Sequence, residues 1–398
     1  MKIGWLVPQF PGQTHAFFWR ELSALEEAGV GVTVLSTRRP DDDACPHPFA
    51  SDGRSRTTYL FPPPVSTLLT LAFRPALISA AIRYAAGLDE SRLKEKLKVL
   101  ALAPSAAELV RLSRRTGIEH IHTHSCADAA HLVALAHDMG GPSYGLVLHG
   151  DLPVYGHDHK SKMKHASYVV AVTSRLHRQI VDRIGLPESR VPVIWMGVDT
   201  SQFTPPEKRR AADGPITLLT IARLHAAKGH AYALRAMRAA VDRGADLRYL
   251  IVGNGREKQN IVSEINRLRL DDRVELLGSV GEDRVRTLLQ NADLFVLPSV
   301  GLGEAAPVSV MEAMAVGLPV ICSIIGGTPD MIDDGVDGVL IEQKDEAALA
   351  DAFFQLAGDQ SLRDRLGAAA RQRSVKQFDF RILAKRLIDQ ITMASGRN

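Results

Sequence analysis

Glu304 and Glu312 stand eight residues apart in the stretch Pro298 to Pro319, where an apolar strand ends, a glycine-bearing loop follows and a helix begins near Pro307 or Val308. A carboxylate set among Val310, Met311, Ala313, Met314 and Ala315 is poorly placed for a solvated helix face. It suits a polar crevice, where its oxygens accept hydrogen bonds from ligand hydroxyls. The new helix N-terminus offers unpaired N–H groups and partial positive charge to an anion. A buried core helix with one capped Glu is the bland alternative, and the glycine loop and second carboxylate weigh against it. Upstream, Arg223 and Lys228 lie five residues apart on one strand-ending loop. Arg presents a planar fork to phosphate oxygens and Lys a point charge, a pairing suited to the negative charge that develops on a departing diphosphate. By themselves they read equally well as surface cations. No Asp-x-Asp stands where a divalent ion would be expected to bridge the diphosphate, since the acidic clusters Asp41-Asp42-Asp43 and Asp333-Asp334 read as a solvated loop and turn. No metal and no cofactor are therefore expected.

Histidines supply the remaining candidates. His149 ends an apolar strand and is followed by Gly150, a better position for ligand contact than most lone histidines occupy. His122 and His124 alternate along a strand end, so both rings lie on one side. With no third ligand in view, they read as crevice-lining structural residues rather than a metal site.

These residues need elements to hold them. Ile3–Val7, Val30–Leu35, Ile118–Thr123, Ser143–Leu148, Tyr168–Val172 and Val191–Trp195 read as strands, with a helix over Phe17–Ala28. After a polar, proline-bearing stretch the pattern restarts with strands at Ile216–Ile221, Leu247–Val252, Val274–Leu277, Leu294–Leu297 and Val320–Cys322. Continuous apolar strands alternating with helices predict an α/β fold of parallel sheets covered on both faces. Two series, with a linker near 199–214, predict two doubly wound domains whose ligands lie beyond the carboxyl ends of the strands, in the cleft between the domains. Residues 61–115 depart from the alternation. They are helix-rich, start with three prolines and carry Arg74, Arg83, Arg92, Lys94, Lys96 and Lys98. Leu68, Leu71, Ala72, Leu77, Ile78, Ala81 and Ile82 are candidates for one apolar face, which would suit a membrane surface. Pro75 interrupts that stripe and favours a helical insert packed on the first domain.

Composition narrows the classes. Lys and Arg number 48 against 45 Asp and Glu, a net charge of +3, and no basic run appears, which argues against nucleic acid as a partner. Cys45, Cys126 and Cys322 lie far apart without CxxC spacing, so neither zinc knuckle nor disulfide framework is expected and a reducing compartment is the default. The first apolar stretch is too short for a signal peptide, and no segment approaches the length of a membrane span. A soluble or peripheral protein is expected. Gly253-Asn254-Gly255 opens like a dinucleotide fingerprint but lacks the third glycine, and neither a Gly-x-Ser-x-Gly elbow nor a Walker loop is present. Dehydrogenase, hydrolase and kinase readings are correspondingly weak.

Glu304 to Glu312, continuing into Glu-Ala-Met-Ala-x-Gly-x-Pro-Val, resembles the E-x7-E motif of retaining glycosyltransferase family 4. The resemblance extends over nearly the whole chain. It includes Arg223 with Lys228, Gly197-Val198-Asp199 with Phe203, Ile251 to Gly255, Gly326-Gly327-Thr328-Pro329-Asp330, and His149-Gly150 with Pro153. The segment Phe10-Pro11-Gly12-Gln13-Thr14-His15 is similar to the Phe-Pro-x-x-Ser/Thr-Glu-Thr-Phe pattern of exopolysaccharide transferases of the colanic-acid type, with His15 and Ala16 in place of Glu-Thr.

The resemblance implies a GT-B fold of two Rossmann-like domains facing across a cleft. It implies an acceptor-binding domain over 1–198 with its insert at 61–115, a nucleotide-sugar domain over 199–377, and a final helix over 378–398 returning to the first domain. Glu304, His149, Arg223 and Lys228 would be catalytic. Glu312, Gly253, Gly278, Ser279, Ala306, Pro307, Val308 and Gly12 would bind the donor, and His15, His124 and Asp151 the acceptor. The implied reaction moves a sugar, with retention, from a UDP- or GDP-sugar to a hydroxyl of a saccharide or lipid-linked saccharide in cell-surface glycan synthesis. It would run in the cytoplasm, with peripheral contact at the inner membrane face. A sugar-nucleotide epimerase or phosphorylase of the same fold, or a non-catalytic carbohydrate-binding subunit, is the alternative.

Overall fold

The structure is a computed structural model that describes residues 1–12, 15–42, 44–207, 214–301 and 304–394. Gln13, Thr14, Asp43, Leu302, Gly303 and residues 208–213, all within segments singled out above, lie outside the described residues. The chain forms two compact units, one of Met1–Trp195 joined by the stretch from Ala384 onward, the other of Met196–Leu383.

The first unit is built on six strands: β1 (Lys2–Gln9), β2 (Gly31–Arg38), β3 (Thr58–Phe61), β4 (His120–His124), β5 (Ser143–Leu148) and β6 (Val169–Ala171). They order as β3-β2-β1-β4-β5-β6, all pairs parallel. The second unit repeats the scheme with β7 (Ile216–Ile221), β8 (Leu247–Val252), β9 (Val274–Gly278), β10 (Leu294–Leu297), β11 (Val320–Ser323) and β12 (Val339–Ile341), in the order β12-β11-β10-β7-β8-β9. Counted within each unit, both sheets run 3-2-1-4-5-6, the doubly wound Rossmann order. The order reverses between β1 and β4 in one sheet and between β7 and β10 in the other. Loops leaving those strands part there and leave a crevice at the carboxyl edge.

The sheet interiors are apolar because helices cover both faces. Tyr249, Leu218, Leu234, Met237 and Phe353 are fully buried in the second unit, and Leu6, Leu35, Tyr144, Leu146 and Leu132 in the first. Each such side chain contributes about 1.5–3 kcal/mol by leaving water. Phe203 is likewise buried, while Val198 makes a parallel bridge to Asp379 and pins the segment between the two series within the second unit.

Three local expectations are corrected. Val191–Trp195 is not a strand but a single bridge from Val193 to Ala171, since Pro192 has no N–H to extend a ladder. The edge strands β3 and β12 were not expected, being short and half exposed. The apolar residues of 61–115 do not form one face. Val65–Ala72 and Pro75–Ala86 are separate helices bent by 88°, with Pro75 opening the second. Ala81 is buried and Leu71 and Leu77 pack on the core, whereas Leu68, Ile78 and Ile82 are exposed. Among the described residues no single helix is long and apolar enough to cross a membrane.

Candidate active site

In the second unit the predicted residues gather at the β7/β10 reversal. The loop after β7 carries Arg223, exposed, and Lys228, half buried. It closes with a short turn over Ala226–Lys228 in which His225 Nδ1 accepts from the Ala227 N–H at 3.2 Å. Gly229 then takes φ +73°, and any Cβ there would collide with the Pro298 carbonyl. Only glycine lets the β7 loop lie on the end of β10. The Val300 N–H donates to the Ala227 carbonyl at 2.8 Å and locks the two loops together.

That contact delivers Lys228 to Glu304. Lys228 Nζ donates to Glu304 Oε2, and Ser299 Oγ donates to the same oxygen at 2.8 Å. Glu304 and Ser299 are both buried. The carboxylate is thus held by one cation and one hydroxyl, and two of the three Lys228 N–H donors remain for other acceptors. Behind it, Gly326 presses its backbone on the Glu304 carbonyl, where a Cβ would clash, and the Gly327 N–H donates to Ala305 at 2.6 Å. The Gly-Gly-Thr-Pro-Asp segment therefore acts as a buttress for the glutamate loop.

Gly253, at φ +141°, packs against the Ala222 carbonyl, and its N–H donates to Gly278 at 2.8 Å, joining the ends of β8 and β9 to the Arg223 loop. Gly278 ends β9, and Ser279 follows it, exposed. Pro307 caps the helix Val308–Ala315, Ala306 is buried before it, and Glu312 lies buried in its middle. Arg223, Lys228, Gly253, Gly278, Ser279, Glu304, Ala306, Pro307 and Val308 thus lie on segments that leave the carboxyl ends of one sheet's strands, and Glu312 stands one turn further along the helix that Val308 opens.

The first unit assembles its candidates in the same position on its own sheet. His149 follows β5, its backbone N–H donating to the Tyr155 hydroxyl at 2.7 Å. Its Nε2 lies 3.1 Å from His124 Nδ1, and its Nδ1 is buried without a partner. Burial, with His124 nearby, pushes the His149 imidazole down to about 3, so it is neutral near pH 7. Gly12 accepts the His15 N–H at 3.1 Å. His15 precedes helix α1 (Ala16–Glu27), and burial lowers it to about 4. The rings of His15, His124 and His149 all pack edge-on against Phe18, at 5.0, 4.6 and 5.3 Å. Asp151 is buried, with Arg175 Nε at 4.0 Å.

Sequence reasoning missed Glu21, Trp5 and Tyr168. Glu21 Oε1 accepts from Trp5 Nε1 at 2.8 Å and lies 2.8 Å from His124 Nε2 and 3.4 Å from His122 Nε2. Burial opposes its ionisation, yet the two histidines hold its carboxyl well below the usual range. A signal was present, since Glu21 stands at i+3 on the Phe18, Leu22, Leu25 stripe of α1, where an apolar residue is expected. The third partner that His122 and His124 lacked in sequence is supplied by this helix.

Residues 202–373 match the family described as Glycosyl transferases group 1, and residues 91–202 match Glycosyltransferase Family 4. The chain is 26% identical over 378 residues to WcaL of Escherichia coli K12, named for colanic acid biosynthesis, covering 90% of this chain and 92% of WcaL. It is 32% identical over 220 residues to AmsK of Erwinia amylovora, an amylovoran biosynthesis glycosyltransferase, covering 54% of each. Among solved structures, HepE of Anabaena, determined in complex with UDP, superposes with a TM-score of 0.75 at 16% identity, covering 99% of this chain and 100% of HepE. With both sheets in the doubly wound order and both family models matched in sequence order, the chain belongs to glycosyltransferase family 4 and has the GT-B fold.

Proposed function

We propose that this glycosyltransferase moves a sugar, with retention of configuration, from a UDP- or GDP-sugar to a hydroxyl of a saccharide or lipid-linked saccharide in bacterial exopolysaccharide synthesis. The observation that carries the reading is the Lys228–Glu304–Ser299 cluster at the β7/β10 reversal, with Arg223 on the same loop. Departure of a nucleoside diphosphate places negative charge on the leaving phosphate. Arg223 and Lys228 supply preorganised positive charge there, and the backbone N–H groups opening Val308–Ala315 add partial charge. In this reading Glu304 contacts the transferred sugar and Glu312 accepts from the ribose hydroxyls. The leaving phosphate takes the acceptor proton on the face from which it departs, which needs no metal at the diphosphate. His149, kept neutral, offers a bound hydroxyl in the first unit a hydrogen-bond donor at Nδ1 when its Nε2 accepts from His124 Nδ1. The exopolysaccharide role draws on the likeness to WcaL and AmsK, and the nucleotide on the UDP bound by HepE.

Peripheral membrane contact belongs to the same proposal. Val65, Leu69, Phe73, Leu93 and Leu97 are exposed, and Arg74, Lys94 and Lys98 are exposed beside them in the same segments. Exposed apolar side chains flanked by cations suit anionic headgroups over acyl chains, where a lipid-linked acceptor resides.

Calorimetric titration with UDP, GDP, ADP and NAD tests the donor assignment, with Glu312→Ala as control. Binding of one nucleoside diphosphate that is lost in the variant is expected. Binding of NAD alone, or of none, would refute it. Proton NMR of the product from the accepted donor reports the anomeric configuration, and inversion would refute retention.

A further inference from the structure

The geometry points to a zinc-class divalent cation site in the first unit, formed by Glu21, His122 and His124, that ties helix α1 to the end of β4. The Glu21 carboxylate and the two imidazoles offer three ligand atoms within 4.8 Å of one another. Two histidines and one carboxylate are a ligand set that Zn2+ accepts.

The hydrogen-bond chain behind the site sets its polarity. Ser143 Oγ donates to the Glu119 carbonyl at 3.3 Å, so it accepts from His120 Nδ1 at 2.9 Å. His120 Nε2 is then bare and accepts from the Tyr168 hydroxyl at 3.2 Å. With its proton so committed, Tyr168 Oη accepts from His122 Nδ1 at 2.7 Å. The neutral His122 ring thereby leaves a bare Nε2 facing a carboxylate oxygen, acceptor against acceptor. His122 is fully buried and its Nε2 has no hydrogen-bond partner.

His124 Nε2 is also buried without an aligned hydrogen bond, although Glu21 Oε1 lies only 2.8 Å away. Oxygens displaced from a ring's N–H axis are expected when two groups flank one ion rather than point at each other. Each ligand is also anchored from outside, as ligands of bound metals are. Tyr168 holds His122 Nδ1, His149 holds His124 Nδ1, and Trp5 donates to Glu21. The Glu21 side chain is 18% exposed and provides the way in. The site lies in the first unit, and metal-independent handling of the diphosphate by Arg223 and Lys228 is unaffected by it.

The test uses the full chain stripped with a chelator and dialysed. Zn2+ is titrated against a chromophoric competitor, and Co2+ is added separately to read its visible d–d bands. One equivalent bound, with a raised unfolding midpoint and a four-coordinate Co2+ spectrum, is expected. Glu21→Gln and His122→Gln should each weaken binding by at least roughly tenfold, whereas His157→Gln, at an exposed histidine, should not. Long-range 1H–15N spectra of the wild-type chain serve if the variants fold poorly. Zn2+ should shift two buried Nε2 resonances while their Nδ1 protons persist. No binding, binding unchanged by Glu21→Gln, or shifts confined to exposed histidines would overturn the site and leave a proton as the bridging charge.

Discussion

Lys228 donates to Glu304 across 76 residues of sequence, and the two meet where the strand order of the second sheet reverses. The pair is largely buried, at 18% and 9% side-chain exposure, so each charge depends on the other. It joins a cation suited to a leaving diphosphate with a carboxylate suited to a sugar, through the loop contact that Gly229 permits.

Lys228→Ala removes the cation and leaves Glu304 with Ser299 alone. The turnover rate constant should fall by about 100- to 1,000-fold, the usual cost of one charge-stabilising donor. Steady-state kinetics with the accepted donor check this, and near-wild-type turnover would remove Lys228 from the reaction.

Glu312→Ala and Glu304→Ala should separate. The first should raise the dissociation constant for the nucleoside diphosphate by roughly tenfold or more, the value of a lost hydrogen bond to a charged group. The second should lower kcat while leaving nucleotide affinity within a few-fold. Calorimetry and initial rates on both variants decide it, and equal effects on both readouts would erase the distinction.

Gly326→Ala drives a methyl group into the Glu304 carbonyl at a backbone with φ +57°. The expected result is loss of at least about 1–3 kcal/mol of stability together with reduced kcat, because the glutamate loop must move. Gly335→Ala, at φ +71° with open space around it, is the control that carries the backbone cost alone. Denaturant melts and rates on the two variants should differ, and matched behaviour would dismiss the buttress.

Acidification should destabilise the first unit through its buried neutral histidines. Burial lowers His131 to about 3, while its Nδ1 shares a hydrogen bond with Tyr84 Oη at 2.9 Å. Its unfolded value is about 6.5. Between those values the unfolded chain binds the extra proton, so stability falls as pH drops below about 6.5, by at most about 1.4 kcal/mol per pH unit for this group. His131→Gln should flatten the melting profile between pH 6.5 and 4. An unchanged slope would assign the acid sensitivity elsewhere.

Phe73→Ser with Leu97→Ser removes two of the exposed apolar side chains beside Arg74, Lys96 and Lys98. At about 1.5–3 kcal/mol for each buried side chain, co-sedimentation with anionic vesicles should weaken by at least about tenfold. Activity on a soluble acceptor should be kept. Equal sedimentation of variant and wild type would place membrane contact elsewhere or nowhere.

The strands of both sheets were legible because buried parallel strands are continuous apolar runs. Ile216–Ile221, Leu247–Val252 and Leu294–Leu297 appear at the expected residues. The edge strands Thr58–Phe61 and Val339–Ile341 were not, since an edge strand buries less and carries a weaker pattern. In residues 65–86 the candidate stripe breaks at Pro75, where two helices meet at 88°, and within the second helix the turn of about 100° per residue leaves Leu77 packed on the core and Ile78 exposed.

By itself, the amino-acid order determined that there are two doubly wound units, that Arg223, Lys228 and Glu304 lie on strand-ending loops, and that Glu312 lies in the helix that follows one of them. Periodicity and glycine spacing report local burial and local turns, and those features are local. Only the tertiary structure decided that Lys228 meets Glu304, that His15, His124 and His149 surround Phe18, and that Glu21 reaches two histidines about a hundred residues further along. Such contacts depend on strand order and on the face each helix turns to the sheet, and no stretch of sequence short enough to be read as a pattern contains either.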